Sequence, residues 1–401
     1  MDLQQPQFVI AGAGPAGMML AYQLVTNGIP VRVLEQHPDF EREFRGELLG
    51  PSVLPALDQL GVLALLTSRR LARAGVERRM FVGPSRQVTL PGGRELGAMI
   101  SQPGLLALLH ELCSRYPHYQ LDVRTAALGV AREGDRVVAL ETRHEGREER
   151  VAGDVFVVSN GRNSKLRKAA GAELELSEKP DDALWLRFDF SDAPELLPDT
   201  VDVHMFGKGV VVVHFATVGR PRLQIAYSAP GDLGALRRDL PALRERLLPT
   251  LPEPLRGPVA KKLDQEFESQ VLKVAIDRLK TWHTPGLLFL GDAAHTMSPA
   301  GGQGLNLAIR DSIVAANHLI EAVRAGAPID AGVFARIEAE RRPEIHAMQA
   351  GQMRAHGMVQ KPLVVEHLMF TMLGIVMRVK KFSMPDPPQV EPRFAVRAET
   401  T

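Results

Sequence analysis

The chain has 401 residues, of which 45% are hydrophobic and 24% charged, with a formal net charge of +1. This length supports a large core without disulfides or metals, and the charge balance excludes the strong positive field of a nucleic-acid-binding protein. The single cysteine, Cys113, excludes an internal disulfide framework, a zinc-thiolate cluster and a CxxC redox centre. Any redox chemistry must therefore come from a bound cofactor. We also predict no metal site, no nucleic-acid partner and no obligate protein partner.

Neither a secretory signal nor a membrane span is expected. Met1 is followed by a short polar, glutamine-rich segment with no basic region or apolar signal core, which predicts a cytoplasmic protein. The longest apolar stretch near the other end, Leu368 to Val379, is shorter than the roughly 20 residues that a membrane span requires. We interpret this stretch as a buried helix, and a membrane-surface or partner helix is the alternative.

The beginning of the chain follows the order strand, turn, helix, strand. Phe8 to Ala11 is apolar, Gly12 to Gly17 is a glycine-rich turn, Met18 to Thr26 continues as a helix, and Val31 to Leu34 is the next strand. Together these segments predict a βαβ unit.

The next segments alternate between helices and strands. Helices are predicted from Pro51 to Leu66 and from Gln102 to Arg115, the latter entered through Pro103. Leu121 to Val151 alternates in short β runs and predicts a three-stranded meander. Val155 to Val158 has the pattern of a buried strand.

The second half of the chain is β-rich before it returns to helices. The predicted strands of the β-rich region are Ala183 to Phe190, Val201 to Phe206, Val210 to Phe215 and Leu223 to Tyr227. A short apolar strand, Leu287 to Leu290, then precedes a glycine-rich turn and a long helix with apolar residues at spacings of three and four. A terminal helical region is expected from about Phe334 to Lys381.

We therefore predict an α/β fold in which a Rossmann-like domain is interleaved with a β-rich substrate domain and followed by C-terminal helices. The Rossmann-like domain comprises residues 1–75, 98–175 and 276–345. The β-rich domain comprises residues 76–97 and 176–275. The C-terminal helical region comprises residues 346–401.

The glycine-rich turn after the first strand is a GxGxxG motif that predicts dinucleotide binding. Gly12 permits a tight turn, Gly14 lets the backbone approach a pyrophosphate, and Gly17 allows the helix to pack closely on the strand. Glu35 ends the second strand, 18 residues after Gly17, close to the spacing of a ribose-binding acid. The N-terminus of the helix adds partial positive charge for the phosphates.

A second glycine-rich motif near the end of the chain indicates which dinucleotide binds. The Leu287 strand ends at Gly291-Asp292-Ala293-Ala294-His295, and Asp292 can accept hydrogen bonds from a polyhydroxyl chain. Gly301 to Asn306 then begins a helix whose backbone N–H groups can face an electron-rich ring edge. Two distant sites fit an extended FAD, whereas a nicotinamide cofactor needs no second site. We expect the FAD to be bound non-covalently.

With these motifs the sequence resembles the FAD-dependent aromatic hydroxylases of the p-hydroxybenzoate hydroxylase type over most of residues 8–345. Four further features carry the resemblance: Arg45-Gly46 with Leu49, Gln102 at a helix start, the run from Asn160-Gly161 through Ser164 to Arg167, and Arg341-Arg342-Pro343. The resemblance implies that Arg45 and Gln102 approach the FAD, Asp292 binds the ribityl chain, and Gly304 to Asn306 present backbone donors to the flavin ring. The complete predicted cofactor site is Gly12, Gly14, Ala16, Gly17, Glu35, Arg45, Gln102, Asn160, Asp292, Gly302, Gly304, Leu305 and Asn306.

Asn160 departs from the pattern of the family, which usually has Asp-Gly where this chain has Asn160-Gly161. Asparagine keeps the size and one acceptor of aspartate but loses the charge. We expect FAD binding to survive this change, whereas the role of the turn in contacting a pyridine nucleotide stays open. A purely structural role for Asn160 is the alternative.

The resemblance implies a single-component monooxygenase that uses O₂ and NADPH or NADH as a transient co-substrate. A flavin C4a-hydroperoxide would transfer oxygen to an electron-rich ring carbon of an aromatic small molecule, so no protein nucleophile is required. The chain has no second strand-linked GxGxxG and no WxWxIP halogenase pattern. The alternatives are an FAD-dependent oxidase or reductase on the same fold, and a flavoprotein without turnover that acts as a binding module. His295 is interpreted as structural more readily than as catalytic.

The strand from Gly209 to Phe215 bears on the substrate. Benzoate-hydroxylating relatives carry an arginine near the corresponding strand end, where this chain has Ala216. Alternation puts Val212 and His214 on one face, with His204 on a neighbouring strand. The predicted substrate is a neutral, fairly bulky phenolic or heteroaromatic molecule.

The predicted substrate pocket is His204, Val212, His214 and Pro299. His214 is the candidate for a hydrogen bond or proton transfer to the substrate. A satisfied core histidine is the alternative, and a register shift of one residue would turn His214 to the other face.

Overall fold

The computed structural model describes residues 7–41, 47–83, 85–88, 95–178, 180–299, 301–365, 367–369, 371–372 and 389–395. The strands are β1 Phe8–Ala11, β2 Val31–Leu34, β3 Leu48–Leu49, β4 Ala72–Val82, β5 Arg86–Val88, β6 Glu95–Ile100, β7 Tyr119–Asp122, β8 Thr125–Glu133, β9 Arg136–His144, β10 Arg147–Ala152, β11 Val155–Val158, β12 Leu174–Glu178, β13 Ala183–Asp189, β14 Val201–Met205, β15 Val211–Ala216, β16 Arg222–Ser228, β17 Glu268–Leu272, β18 Ile276–Leu279, β19 His283–Thr284 and β20 Leu287–Phe289. The α-helices are α1 Pro15–Val25, α2 Leu54–Gln59, α3 Val62–Ser68, α4 Gln102–Cys113, α5 Lys165–Ala169, α6 Leu233–Arg238, α7 Leu240–Leu247, α8 Glu253–Leu263, α9 Gln303–Arg324 and α10 Ala331–Val359.

A six-stranded sheet forms the centre of the Rossmann-like part, in the order β19-β20-β11-β1-β2-β7. All neighbours pair in parallel except β19 with β20. The inner strands β1, β11 and β20 are fully buried apolar runs, as parallel strands covered on both faces require. Because β20 lies far along the chain, the late segment returns to the sheet that the first residues begin. The α/β fold with a Rossmann-like unit is confirmed.

Two glycines of the first turn allow helix α1 to pack on this sheet. Gly12 has a φ of +106°, and a Cβ added there would lie 2.6 Å from the Cα of Asn160. A Cβ added to Gly17 would lie 2.1 Å from the carbonyl oxygen of Gly12. Both positions therefore exclude any larger residue for reasons internal to the fold.

The β-rich part is a larger sheet in the order β17-β13-β16-β15-β14-β4-β6-β3, with β5 paired to β4. One face packs against α6, α7 and α8 through an apolar cluster that includes Val212, Ile225 and Leu243. The opposite face carries a second cluster, the inner-face cluster, which consists of Val76, Met99, Trp185, Val201 and Phe215 with Leu48 and Val213 packed against it.

Several helices and strands have different bounds in the structure from those predicted from the sequence. The helix predicted from Pro51 to Leu66 is two helices, α2 and α3, because Gly61 between them has a φ of +71°. The predicted meander is a three-stranded antiparallel sheet of β8, β9 and β10, but Leu121 belongs to β7 at the edge of the parallel sheet.

The C-terminal part begins with α10, which starts three residues before the predicted Phe334. Residues 363–365, 367–369 and 371–372 are also helical. Leu368 is 61% and Met372 66% exposed, so the described beginning of the stretch interpreted as a buried helix faces outward. Residue 370 and residues 373–379 of that stretch lie outside the described residues. Within the described part of the chain, no helix is both long and apolar enough to cross a membrane.

The predicted domain bounds stay a prediction. The strands within residues 76–97 and 176–275, the predicted β-rich domain, all lie in the larger sheet or in the pair β12-β18. Strand β3 also joins the larger sheet, although the prediction assigned residues 48–49 to the Rossmann-like domain.

Candidate FAD and substrate site

The motifs from the two ends of the chain meet at one edge of the parallel sheet. Strands β1, β11 and β20 are neighbours and run in parallel, so their carboxyl ends lie side by side. Gly12, Ser159 and Gly291 follow these three ends within one to two residues. Ligands of open parallel sheets bind in the crevice beyond the carboxyl ends of the strands.

Gly14 differs from the other two glycines of the first motif. A Cβ added there would meet only the carbonyl oxygen of Ser159, at 3.8 Å, which is an ordinary contact. Gly14 has a φ of −77°, which any residue can adopt. Neither packing nor backbone conformation therefore requires glycine at this position. A ligand that approaches the backbone at the N-terminus of α1 does explain it, and the pyrophosphate of FAD fits this cradle.

Glu35 and Ala16 are placed around the same turn. The Glu35 carboxylate is buried and accepts hydrogen bonds from the backbone N–H groups of Ala13, at 2.8 Å, and His37, at 3.0 Å. It thereby ties the end of β2 to the glycine-rich turn, beside the predicted ribose position. Ala16 is buried against Gly291, where an added Cβ would lie 3.3 Å from that of Ala16, so a small residue is needed between α1 and the late turn.

The turn after β20 exposes the Asp292 carboxylate at the same edge. Its side chain is partly exposed, and Arg162 Nη2 lies 3.8 Å from Oδ2. Arg167 holds the backbone of this turn by donating to the carbonyls of Asp292, at 2.8 Å, and Ala293, at 2.7 Å. Arg167 is itself paired with Asp277. The Asp292 carboxylate is thus held in position by its backbone and is accessible to a polyhydroxyl chain.

The N-terminus of α9 lies next to Asp292. Gly302, the residue directly before the helix, has a φ of +63°, and the carbonyl of Pro299 accepts a hydrogen bond from its N–H. The first N–H groups of a helix have no partner within the helix, so those of Gly304 and Leu305 are free to face a ligand.

The side-chain amide of Asn306, in this first turn, is fully occupied by hydrogen bonds within the protein. It accepts from Gly50 N, at 2.6 Å, and donates to the carbonyls of Leu48, at 3.0 Å, and Gly302, at 2.9 Å. This amide joins β3 to the start of α9. Any contact of Asn306 with the flavin would therefore be made by its backbone.

Asn160 and Ser164 each have a buried polar atom at this edge. Oδ1 of Asn160 and Oγ of Ser164 are buried without a hydrogen-bond partner among the described residues. Buried polar atoms are nearly always paired, so both atoms fit contacts with a bound group. Gln102 lies buried at the first position of α4. Arg45 lies outside the described residues.

His295 is part of a buried ion network behind this edge. Its Nε2 lies 2.7 Å from Oδ2 of Asp311, and Oδ1 of Asp311 accepts from Arg341 Nε at 2.8 Å. Asp311 also accepts from the N–H of Gly291 at 3.1 Å. Burial alone would raise the pKa of Asp311, but His295 and Arg341 hold it below its usual value. The network supports the late turn, which favours the structural interpretation of His295.

The residues predicted to line the substrate pocket are buried in the larger sheet. Val212 and His214 share a face, as alternation predicted, but Val212 belongs to the cluster that packs against α6, α7 and α8. His214 Nε2 lies 3.3 Å from His204 Nε2, and both imidazoles are almost completely buried. Burial lowers the pKa of His204 and lowers that of His214 to about 4, so both are neutral at pH 7. This placement favours the core interpretation of both histidines.

Asp202, His204 and His214 form a group of three potential metal ligands within the described residues, with ligand atoms within 4.8 Å of one another. Arg79 already binds both oxygens of the Asp202 carboxylate. A guanidinium at this position opposes a second cation. The absence of a metal site therefore stays a prediction, and the pairing of Asp202 with Arg79 agrees with it.

The inner-face cluster lies towards the cofactor edge. Leu48 packs on this cluster, and a Cβ added to Gly302 at the start of α9 would lie 3.2 Å from the side chain of Leu48. Trp185, Phe215 and Val213 thus face the side from which α9 approaches. The sequence prediction chose the other face of the same strand.

A polar group on this inner face was missed by the sequence reasoning. Trp185 Nε1 donates to Gln224 Oε1 at 2.6 Å, and Gln224 is completely buried. Glu47, which precedes β3, faces Gln224, Arg187 and Arg222, and burial raises the pKa of its carboxyl to about 7 despite those three groups. The position of Glu47 directly after Arg45-Gly46 was the available signal.

The sequence model of a family described as "FAD binding domain" matches residues 6–350. The chain is 30% identical over 371 residues to a Streptomyces rimosus protein named 6-methylpretetramide 4-monooxygenase, covering 87% of this chain and 85% of that protein. It spans 56% of the length of a second Streptomyces rimosus protein of the same name.

Two solved structures share the fold. PqsL from Pseudomonas aeruginosa, described as a probable FAD-dependent monooxygenase, superposes with a TM-score of 0.75 at 21% identity, covering 92% of this chain and 99% of that chain. The p-nitrophenol 4-monooxygenase PnpA from Pseudomonas putida superposes with a TM-score of 0.77 at 18% identity, covering 93% of each chain. At these identities the likeness concerns the fold.

Proposed function

The chain belongs to the family of FAD-dependent aromatic hydroxylases and monooxygenases, and on that premise we propose that it hydroxylates a neutral phenolic or heteroaromatic small molecule with O₂ and NADPH or NADH. One nicotinamide, one proton and one O₂ are consumed for each hydroxyl group added, and oxidised nicotinamide and one water are released. The observation that carries the proposal is the meeting of Gly14, Asn160 and Asp292 beyond the carboxyl ends of three parallel strands, beside an apolar, aromatic face of the second sheet.

FAD bound at this edge would accept a hydride from the nicotinamide and activate O₂ for transfer of one oxygen atom. The chain's own residues would hold it: the turn at Gly14 would admit the pyrophosphate, and Glu35 would lie beside the ribose. Asp292 would bind the ribityl chain, and the first N–H groups of α9, at Gly304 and Leu305, would donate to the flavin. No nucleophilic side chain is needed for this chemistry.

The substrate in this proposal lies between the start of α9 and the inner-face cluster. Val213, which is partly exposed, and the neighbouring Trp185 and Phe215 would offer an apolar and aromatic surface that packs on a ring and excludes water. We prefer this surface to the predicted pocket around His204, Val212 and His214, because Val212 packs against α6, α7 and α8 and both histidines are almost completely buried. Pro299 stays in the proposal as part of the turn that leads into α9.

Charge balance supports a neutral substrate. Arg187 and Arg222 approach the inner face, and Glu268 binds both, at 2.9 and 3.3 Å. With Glu47 ionised, two carboxylates face two guanidinium groups. The competing class is a substrate that carries a carboxylate. Arg73, which pairs with Met99 in the sheet, could bind it, because two of its buried guanidinium nitrogens have no hydrogen-bond partner among the described residues.

The nicotinamide has no Rossmann unit of its own in this proposal and binds transiently. Asn160 lacks the charge that relatives usually have at this turn, and its buried Oδ1 is available as an acceptor. Replacing Asn160 by Asp tests its contribution. A change in KM for NADPH with unchanged FAD content would place the nicotinamide near this turn, whereas lost FAD would assign Asn160 to the flavin.

The decisive experiment measures NADPH and NADH oxidation by the purified yellow protein with 2-naphthol, and with 6-hydroxy-2-naphthoate as its carboxylate-bearing match. Stimulation by 2-naphthol together with ¹⁸O from O₂ in the product supports the proposal. Stimulation by the naphthoate alone would overturn the neutral class. Stoichiometric H₂O₂ without labelled product would establish an oxidase, and failure of every aromatic compound to stimulate turnover would favour a binding flavoprotein.

A further inference from the structure

We propose that Glu47 is the general base of this site and removes the proton from the hydroxyl group of a phenolic substrate, while Gln224 donates a hydrogen bond to the same oxygen. This inference rests on the proposed function and names the residues that would activate its substrate.

The position of Glu47 links the two parts of the fold. Its carbonyl accepts from Ile100 N at 2.7 Å, and the next residue, Leu48, is bound through its carbonyl by Asn306 in the first turn of α9. Leu48 also packs on the inner-face cluster. Glu47 therefore lies between the elements expected to hold the flavin and the surface expected to hold the substrate.

Glu47 offers a hydrogen-bond acceptor and Gln224 offers a hydrogen-bond donor on the same face of the sheet. Oε2 of Glu47 and Nε2 of Gln224 are both buried and make no hydrogen bond of normal geometry among the described residues, although the amide is near enough to the carboxyl to lower its pKa. Trp185 Nε1 can only donate, so its bond to Gln224 fixes Oε1 as the acceptor and leaves both N–H groups of Nε2 for another partner. A hydroxyl group between them would satisfy both, because it donates to a carboxylate and accepts from an amide.

The charged surroundings keep the carboxyl ready to accept a proton near neutral pH. Burial raises the pKa of Glu47 to about 7, while Arg187, Gln224 and Arg222 oppose that rise. Glu268 in turn pairs with both arginines. A base whose pKa lies near the working pH combines a large ionised fraction with a strong driving force for proton transfer.

The step moves one proton and no electrons between molecules. The O–H bond of the substrate breaks, its electron pair stays on the phenolate oxygen, and the proton passes to Oε2 of Glu47. The phenolate raises electron density at the ring carbons ortho and para to it, which are the positions that accept an electrophilic oxygen. Glu47 returns the proton to the product oxygen before release.

The test compares wild type with Glu47→Gln, which keeps the shape of the side chain and removes the base. The substrates are 2-naphthol, 6-bromo-2-naphthol and 6-cyano-2-naphthol, in order of rising acidity. We expect the variant to bind FAD and to be reduced by NADPH as wild type is, but to hydroxylate 2-naphthol about 100-fold more slowly. The deficit should shrink as the acidity of the naphthol rises, because an already ionised substrate needs no base.

The pH profile gives a second readout that a merely structural role would not move. Wild-type kcat should rise through about pH 7 as Glu47 ionises, and this limb should be absent in Glu47→Gln. The matched control is Glu77→Gln, an exposed glutamate of β4 that should keep the wild-type profile.

Two outcomes would overturn the role of Glu47. One is an equal loss of rate for all three naphthols, and the other is a Glu47→Gln variant with an unchanged ascending limb. A wild-type protein that holds FAD but oxygenates none of the naphthols would instead count against the proposed function, so the two failures are distinguishable.

Discussion

Nε2 of His295 lies 2.7 Å from Oδ2 of Asp311, and both side chains are almost completely buried. The same carboxylate binds Arg341 and the N–H of Gly291. One aspartate of α9 thus connects a histidine, an arginine of α10 and the turn that leads to Asp292. Removing one partner from such a network leaves buried charge uncompensated.

We therefore predict that Asp311→Asn lowers the free energy of unfolding by about 3–5 kcal/mol and weakens FAD binding, because the late turn loses its anchor. Urea unfolding and the flavin absorbance of the purified variant measure both effects. The control is Glu340→Gln, which breaks the more exposed pair of Glu340 with His318 and should cost less than about 1 kcal/mol. Equal effects of the two substitutions would contradict the assigned importance of Asp311.

Substitutions at two glycines of the first turn should distinguish an effect on folding from an effect on cofactor binding. A Cβ at Gly14 meets only the carbonyl oxygen of Ser159, at 3.8 Å, so Gly14→Val should fold with a near-wild-type melting temperature as the apoprotein but retain little FAD. Gly12→Val should instead fail to fold stably, because its Cβ would collide with the backbone of Asn160 and its φ is +106°. Full flavin occupancy in Gly14→Val would refute the predicted pyrophosphate position.

These two glycines also show what local sequence can establish. The GxGxxG motif, the apolar strand before it and the acid at its second strand specify a local geometry, so βαβ order and a Rossmann-like sheet follow from the residues themselves. The strand Leu287–Phe289 could be joined to this sheet because its glycine-rich turn carries a matching chemical signature.

The face of the larger sheet that we propose for the substrate could not be predicted in the same way. Alternation along β15 separates Val212 and His214 from Val213 and Phe215, but it does not tell which face a later helical layer will cover. Helices α6, α7 and α8 cover the face of Val212. Glu47 was missed for a related reason, because its burial depends on Gln224 and Arg187, which are more than a hundred residues away in the chain.

The raised pKa of Glu47 implies a cost in stability that depends on pH. A carboxyl whose folded pKa is above its ordinary value of 4.5 opposes folding when ionised, so its cost is absent below that value and develops as pH rises through about 7. Glu47→Gln should therefore be more stable than wild type at pH 8, by up to about 3 kcal/mol, and equal to it at pH 4. Urea unfolding at both pH values measures the difference. A pH-independent difference would show that Glu47 does not titrate in this range.

Neighbouring valines on β15 test which face of the larger sheet meets the substrate. Val212 is fully buried against α6, α7 and α8, whereas Val213 is partly buried and packs on the inner-face cluster. We predict that Val212→Ala lowers the free energy of unfolding by about 1–3 kcal/mol and leaves KM for 2-naphthol unchanged. Val213→Ala should have the smaller effect on stability and change that KM about 10-fold, because it enlarges the pocket wall.

His214→Gln extends the comparison of the two faces, since His214 shares the face of Val212. It should leave substrate-stimulated NADPH oxidation unchanged. Burial lowers the pKa of His214 to about 4, so the neutral imidazole stabilises the fold above its ordinary value of 6.5, and this stabilisation is lost as pH falls towards 4. His214→Gln should therefore lose less stability than wild type between pH 7 and pH 4. The opposite result would place the substrate against the face of Val212 and His214. In that case Val212→Ala changes KM and His214→Gln loses turnover, while Val213→Ala changes neither.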